Sequence, residues 1–233
     1  MSKHYIINYK KQSINLLIKK NKLSRNYKLT FDKKNFRGLV SIPYYVTFDD
    51  GLKFAKENIE WLSKEMKKIS PLIYIKNNSS IMIKGEKTKI IFRESKLNGV
   101  YLKDKKIIVM SNKNNFNRLF KQWLDEQIIV QSKYFINAIS KKLDLNIKGL
   151  KLSNSFNYWG SCNTNGIIHL NWRLIFAPTN VLNYIIVHEI CHLIEFNHTQ
   201  NFWRLVEKFC PNYKEQVKWL KKNDNYLYRI RLD

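Results

Sequence analysis

The apolar residues of this chain change their spacing near residue 112. Before that point they alternate with polar residues or gather in short runs. KHYIINYKK, SINLLIKK, NYKLTF and FRGLVSIP are rich in Ile, Leu, Tyr and Phe and separated by polar turns, which predicts four strands. FDDGLKFAKENIEWLSKEMKKI then spaces Leu52, Ala55, Ile59, Leu62, Met66 and Ile69 by three and four, the period of a helix. Asp49 or Asp50 is suited to cap its start, and Ser70-Pro71 to stop it. PLIYI, SIMIKG, KTKIIFRES, GVYLK and KIIVMS read as further strands. NNSS between the first two of these, and KDKK between the last two, read as hairpin turns.

After residue 112 the helical period dominates. FNRLFKQWLDEQIIVQSKYFINAISKKL predicts one long helix, with Phe116, Leu119, Phe120, Trp123, Leu124, Ile128, Phe135, Ile139 and Leu143 on its apolar side. GLKLSNSFNYWGSC and GIIHLNW flank Asn163-Thr164-Asn165-Gly166, a hairpin signal. TNVLNYIIVHEICHLIEF predicts a helix entered through Pro178, and TQNFWRLVEKFC and PNYKEQVKWLKK two more. The tail NDNYLYRIRLD has no clear period. The pattern therefore predicts an α+β protein. Residues 1–112 form a β-rich N-terminal region with one helix, and residues 113–233 a mostly helical region with a short β-hairpin.

Composition supports a packed protein. Of the 233 residues 44% are hydrophobic, including six Trp, thirteen Tyr and thirteen Phe, enough for a substantial core. Seven Gly and four Pro are too few for collagen-like tracts or long flexible linkers. The formal net charge is +24. Most of the positive residues are Lys, scattered along a chain also rich in Asn and Ile, as codon bias toward A and T produces. The alternative is a polyanion partner such as nucleic acid, although the dense stretches, Lys64 to Lys68 and Lys214 to Lys222, are short. No apolar run approaches the ~20 residues of a membrane span. MSKHYIINYKK has no signal-peptide core. Cys162, Cys191 and Cys210 are an odd, sparse set and read as free thiols. These features predict a cytoplasmic protein with no membrane partner.

The chemistry is concentrated in HEICHLIEFNH, residues 188–198, which holds three of the five histidines. On a helix, His188 and His192 differ by only ~40° around the axis and ~6 Å along it, so both can reach one metal ion. Glu189 lies ~100° round from His188, placed to touch a water at that metal rather than to bind it. Zinc suits neutral imidazoles, and a catalytic site takes three protein ligands with one position open. His198 can be the third only if the chain turns back after Leu193, since a straight helix would carry it ~9 Å past His192. Asn197 suits such a turn, and Thr199 can cap the following helix. The spacing equals H-E-x-x-H-x-x-G-x-x-H, but Glu195 stands in place of the glycine. Glu195 is itself a rival ligand, because position +7 returns to the same face. A purely structural zinc site would have no use for Glu189 and would usually show four ligands. Cys191 falls on the helix's other side, as a small core residue.

WGSC (Trp159 to Cys162), IHLNWRLIFAP (Ile168 to Pro178) and VHEICHLIEFNHTQNFW (Val187 to Trp203) together resemble the YgjP-like metallopeptidase family, whose signature runs WGSC, LNWRL, HELxH, NH and FW. The resemblance covers most of residues 115–221. The histidine pair and Asn-His step are also similar to those of SprT-like and WLM proteases, which act on proteins attached to DNA. One departure is Tyr158, where the family usually has Arg. The resemblance implies a zincin-like metallopeptidase domain with His188, His192 and His198 as zinc ligands, Glu189 as general base, and a protein or peptide substrate. Read from the residues alone, Trp159-Gly160 is a packed aromatic beside a tight turn, and Phe202-Trp203 belongs to the core. His169, Tyr158, Asn171, Arg173 and Tyr184 are candidates for stabilising an oxyanion by sequence proximity only. A DNA-associated binding protein with a structural or vestigial metal site is the reading from a different class, resting on the charge.

Overall fold

The computed structural model describes residues 1–10, 12–32, 35–68 and 72–232. They form an α+β protein of two compact units, Met1–Leu72 and Ile73–Asp233.

The first unit begins with β1 (Ser2–Tyr9) and β2 (Gln12–Asn21), an antiparallel hairpin. β3 (Lys28–Asp32) and β4 (Arg37–Pro43) form a second, and β4 lies parallel to β2, giving the order β1-β2-β4-β3. Alternation drives this sheet. Ile14, Leu16 and Ile18 of β2 and Val40 and Ile42 of β4 point into one core, with Ala55, Leu62 and Met66 from the helical segment. That segment runs as two helices, α1 (Phe48–Glu57) and α2 (Ile59–Lys68), interrupted at Asn58. The Asn58 side chain donates to Phe54 O at 2.9 Å, competing with the helical ladder. The cap is Thr47. Its hydroxyl accepts from Asp50 N at 3.1 Å, and the Asp50 carboxylate accepts from Thr47 N at 3.3 Å. The stop expected at Ser70-Pro71, with Ile69, lies outside the described residues.

The second unit contains the other expected elements. β5 (Ile73–Tyr74) is followed by β6 (Ser80–Ile83), β7 (Glu86–Glu94), β8 (Gly99–Lys103) and β9 (Lys106–Ser111). The last four form a sheet of order β6-β7-β9-β8. The KDKK turn closes β8 onto β9 through Asp104 and Lys105, both at positive φ. NNSS does not close a hairpin. β6 instead pairs with β7 across Lys84-Gly85, and β5 pairs in parallel with β13 (Ile230–Arg231).

α3 (Phe116–Leu143) is the long helix that the sequence predicts. β10 (Gly149–Ser153), β11 (Gly160–Cys162) and β12 (Ile167–Asn171) form a small sheet with β12 in the centre, antiparallel to β11 and parallel to β10. α4 (Thr179–Cys191), α5 (Gln200–Phe209) and α6 (Tyr213–Arg229) follow, and α6 absorbs most of the tail that showed no period. α4 is apolar nearly all round, with Val181, Leu182, Ile186, Val187, Ile190 and Cys191 buried, so it is the central helix of this unit.

The units divide between Leu72 and Ile73, whereas the change of pattern in the sequence falls near residue 112. The reason is packing. Ile90, Ile107 and Val109 of the second β-sheet belong to the same core as Phe120 and Leu124 of α3 and Val187 of α4. Among the described residues no helix is long and apolar enough to cross a membrane.

Candidate metal centre

α4 ends at Cys191, one turn earlier than its apolar pattern suggests, and His192 is its C-cap. The backbone then tightens. Leu193 N donates to Ile190 O at 3.0 Å and Ile194 N to Cys191 O at 3.0 Å, both three-residue steps. Thr199 N donates to Asn197 O at 2.7 Å, and the Thr199 hydroxyl accepts from Phe202 N to cap α5. The reversal therefore begins at His192 rather than at Asn197, which is not among the residues with positive φ.

This turn brings the three histidines together. His188 Nε2 stands 3.1 Å from His198 Nε2 and 3.3 Å from His192 Nε2. His192 Nδ1 donates to Glu195 O at 3.2 Å, which leaves its Nε2 as the lone-pair nitrogen facing the other two rings. The Tyr184 hydroxyl lies 3.5 Å from His188 Nδ1. Burial, with the charges of His192 and His198, pushes the pKa of His188 down to about 4. Burial also lowers His192. Imidazole nitrogens converging on one point suit a cation, and these three groups could hold a metal ion.

The floor under them is aromatic. Phe202 is 0% exposed, and its ring centre lies 5.0 Å from that of His188, 4.6 Å from His192 and 4.8 Å from His198. Trp203 packs on His198 at 5.7 Å and is backed by Tyr213 at 5.2 Å. Phe202 is thus the core residue expected, and it also fixes the planes of the donor rings. Cys191 is buried, as expected.

Glu189 is 6% exposed and shares a cleft of about 380 Å³ with His188, His192, Phe196 and the β11 residues Gly160, Ser161 and Cys162. Burial pushes its carboxyl up to about 7. The Cys162 thiol beside it is pushed up to about 11, by burial and then by the Glu189 charge.

A second set of residues, not identified as a support from the sequence, holds β11 in place. Asn171 is fully buried. Its Nδ2 donates to Ser155 O at 2.6 Å and Tyr158 O at 3.4 Å, and its Oδ1 accepts from Arg173 N at 3.1 Å. Trp159 stacks on Tyr228 at 4.2 Å. The loop leading to Gly160 is therefore pinned from both sides. Of the five residues considered for an oxyanion, none is among those lining the histidine cleft, and Arg173 lines a different cavity.

Three imidazoles and a buried carboxylate on one α+β core are the equipment of a metal-dependent hydrolase. The model of the YgjP-like metallopeptidase domain matches residues 25–223, and the chain belongs to that family. A solved structure, the metallopeptidase zymogen abylysin of Pyrococcus abyssi, is similar at 21% identity and a TM-score of 0.36, covering 39% of this chain and 93% of that one. No curated protein matches the chain.

Proposed function

We propose that this metallopeptidase is a zinc enzyme in which His188, His192 and His198 hold the metal and Glu189 is the general base. The convergence of the three Nε2 atoms, two of them on histidines that line the same cleft as Glu189, carries the reading. Nitrogens placed tetrahedrally at ~2.0–2.1 Å from zinc stand about 3.3–3.4 Å from one another. The separations of 3.1 and 3.3 Å from His188 are close to that spacing, and the three donor atoms all lie within 4.8 Å of one another. Bound there, zinc supplies a Lewis acid that polarises the scissile carbonyl and acidifies water.

The remaining work falls to the chain. Glu189 takes a proton from the attacking water as its oxygen bonds to the carbonyl carbon, then gives the proton to the amine nitrogen as the C–N bond breaks. Burial, which raises its carboxyl above the usual range, favours a group that takes up a proton and returns it. β11 ends its sheet, and Gly160 to Cys162 line the cleft, so an extended peptide can add along that edge. All four functional side chains lie in residues 113–233, the part of the second compact unit that we take as catalytic. The three free thiols favour a cytoplasmic setting.

The test is hydrolysis of an unfolded protein by the zinc-loaded chain. Glu189→Gln should retain the metal and lose activity, and a chelator should abolish wild-type activity reversibly. Cleavage by Glu189→Gln at the wild-type rate would refute the general-base role.

A further inference from the structure

The turn after α4 leaves apolar side chains uncovered. Ile194 is 42% exposed and Phe196 70%. Phe196 lines the histidine cleft with Leu193, so three of the four residues 193–196 are apolar at one wall of that cleft. Single exposed apolar residues are ordinary, but a contiguous group beside a cleft marks a surface that something covers.

The position of this group is set by the metal centre. Leu193 follows Glu189 by four residues and stands one turn beyond it. Glu195 N donates to Cys191 O at 2.9 Å, and Glu195 O accepts from His192 Nδ1 at 3.2 Å. The backbone entering Phe196 is therefore tied to His192, and the backbone leaving it runs on to His198.

The facing wall has a different chemistry. Ser161, Asn163 and Thr164 are short, polar and uncharged. Among the described residues that line the cleft none is Lys or Arg, although the chain has 42 of them, and Glu189 is the one carboxylate. A basic substrate side chain would find no counter-charge there except Glu189. An acidic one would face that same carboxylate with no cationic side chain to meet it. An apolar one would cover the Phe196 ring and leave no polar group unpaired.

The strand geometry brings a side chain to this wall. A β-carbon on Gly160 would point at Glu189 and Ile185, so α4 lies against one face of β11. An extended peptide at the edge of β11 turns alternate side chains toward that same face.

We propose that Leu193 and Phe196 form an apolar subsite for a substrate side chain flanking the scissile bond, which selects a large aliphatic or aromatic residue and disfavours a charged one. The inference rests on the histidine cleft being the peptidase site. It requires neither zinc as the metal nor Glu189 as the base.

The experiment uses internally quenched peptides that differ at one position, Leu, Ala, Lys or Asp, scanned through the residues flanking the cleaved bond. At one position Leu should give a kcat/KM about tenfold or more above the others, the discrimination a hydrophobic pocket supplies, expressed mainly in KM. Phe196→Ala should bring the ratio of Leu to Ala toward one, and Phe196→Leu should keep it. Phe196 is exposed, so neither variant removes core packing. Tyr134→Ala, at an exposed aromatic on α3, should leave the ratio as in wild type. Equal rates for the four peptides, or the highest rate with Lys or Asp, overturn the proposal. A preference for Leu that survives Phe196→Ala overturns it as well. If no peptide is cleaved, fluorescence anisotropy of the same peptides on the metal-loaded chain decides. Tighter binding of the Leu peptide that Phe196→Ala removes then supports the subsite while the catalytic reading fails alone, and equal binding overturns the subsite.

Discussion

A β-carbon built on Gly160 would lie 2.6 Å from Oε1 of Glu189 and 2.8 Å from its Cγ. The backbone of β11 therefore rests directly against the proposed base, and Ile185 closes the same spot at 2.8 Å. Glycine at this position of WGSC is required by clearance. Gly160→Ala should fold and hold metal but displace Glu189. A shift approaching 1 Å at a reacting group costs on the order of 10²-fold in rate. Kinetics on an unfolded protein, with metal content measured alongside, checks this. Full activity in Gly160→Ala would show that the strand can move aside without consequence.

Asn171 ties three backbone groups at once, Ser155 O, Tyr158 O and Arg173 N. Asn171→Leu keeps the volume and removes all three bonds. Each buried backbone group left unpaired costs about 1–3 kcal/mol. Urea unfolding should show a loss of about 2–3 kcal/mol, at or just below the lower end of their sum because the Tyr158 contact is long and adds little. Activity should fall too, because the same loop delivers Gly160 to Glu189.

Cys162 lines the cleft, which invites the idea of a reactive thiol. Burial and the neighbouring Glu189 hold its pKa at about 11, so the neutral thiol dominates at physiological pH. At pH 8 the thiolate fraction is on the order of 10⁻³. Alkylation by iodoacetamide should therefore be slow in the folded protein, accelerate as pH rises toward 11, and be fast at pH 8 after unfolding. Mass spectrometry of the labelled peptide reads each condition. Rapid labelling of native Cys162 at pH 7 would contradict the burial argument.

The parts of this molecule legible in its sequence are those governed by local periodicity. β1 to β4 and α3 follow from alternation and from the three-four spacing. The histidines follow from helical geometry, because His188 and His192 must share a face. The end of α4 is different. Leu193, Ile194 and Phe196 continue the apolar pattern, so the helix reads on to Phe196. In the fold Ile194 and Phe196 are exposed, and the chain leaves the helix at His192. Here the local pattern yields to the tertiary contacts that draw His198 back. β5 has only two residues and pairs with β13 at the far end of the chain, beyond any local signal. The boundary read near residue 112 marks a change of secondary structure. Compactness follows the core that β7 and β9 share with α3, which no single segment reveals. The supports of the site, Gly160 under Glu189 and Phe202 under the imidazoles, are contacts between distant segments. Their residue types are visible in the sequence, but their partners are not.

The third ligand separates two readings of the same eleven residues. Helical period alone makes Glu195 a rival to His198. In the fold, His198 Nε2 reaches within 3.1 Å of His188 Nε2, while the contact Glu195 makes with this group is through its backbone oxygen, which accepts from His192 Nδ1. A backbone oxygen survives substitution of the side chain. Glu195→Ala should therefore retain metal after dialysis against a weak chelator, with His192 still oriented. His198→Ala should lose the metal under the same conditions, since two imidazoles leave the donor set incomplete. Metal content by atomic emission, with circular dichroism to confirm folding, reads both variants. The reverse result would move the third ligand to Glu195 and require the turn after His192 to rearrange when metal binds.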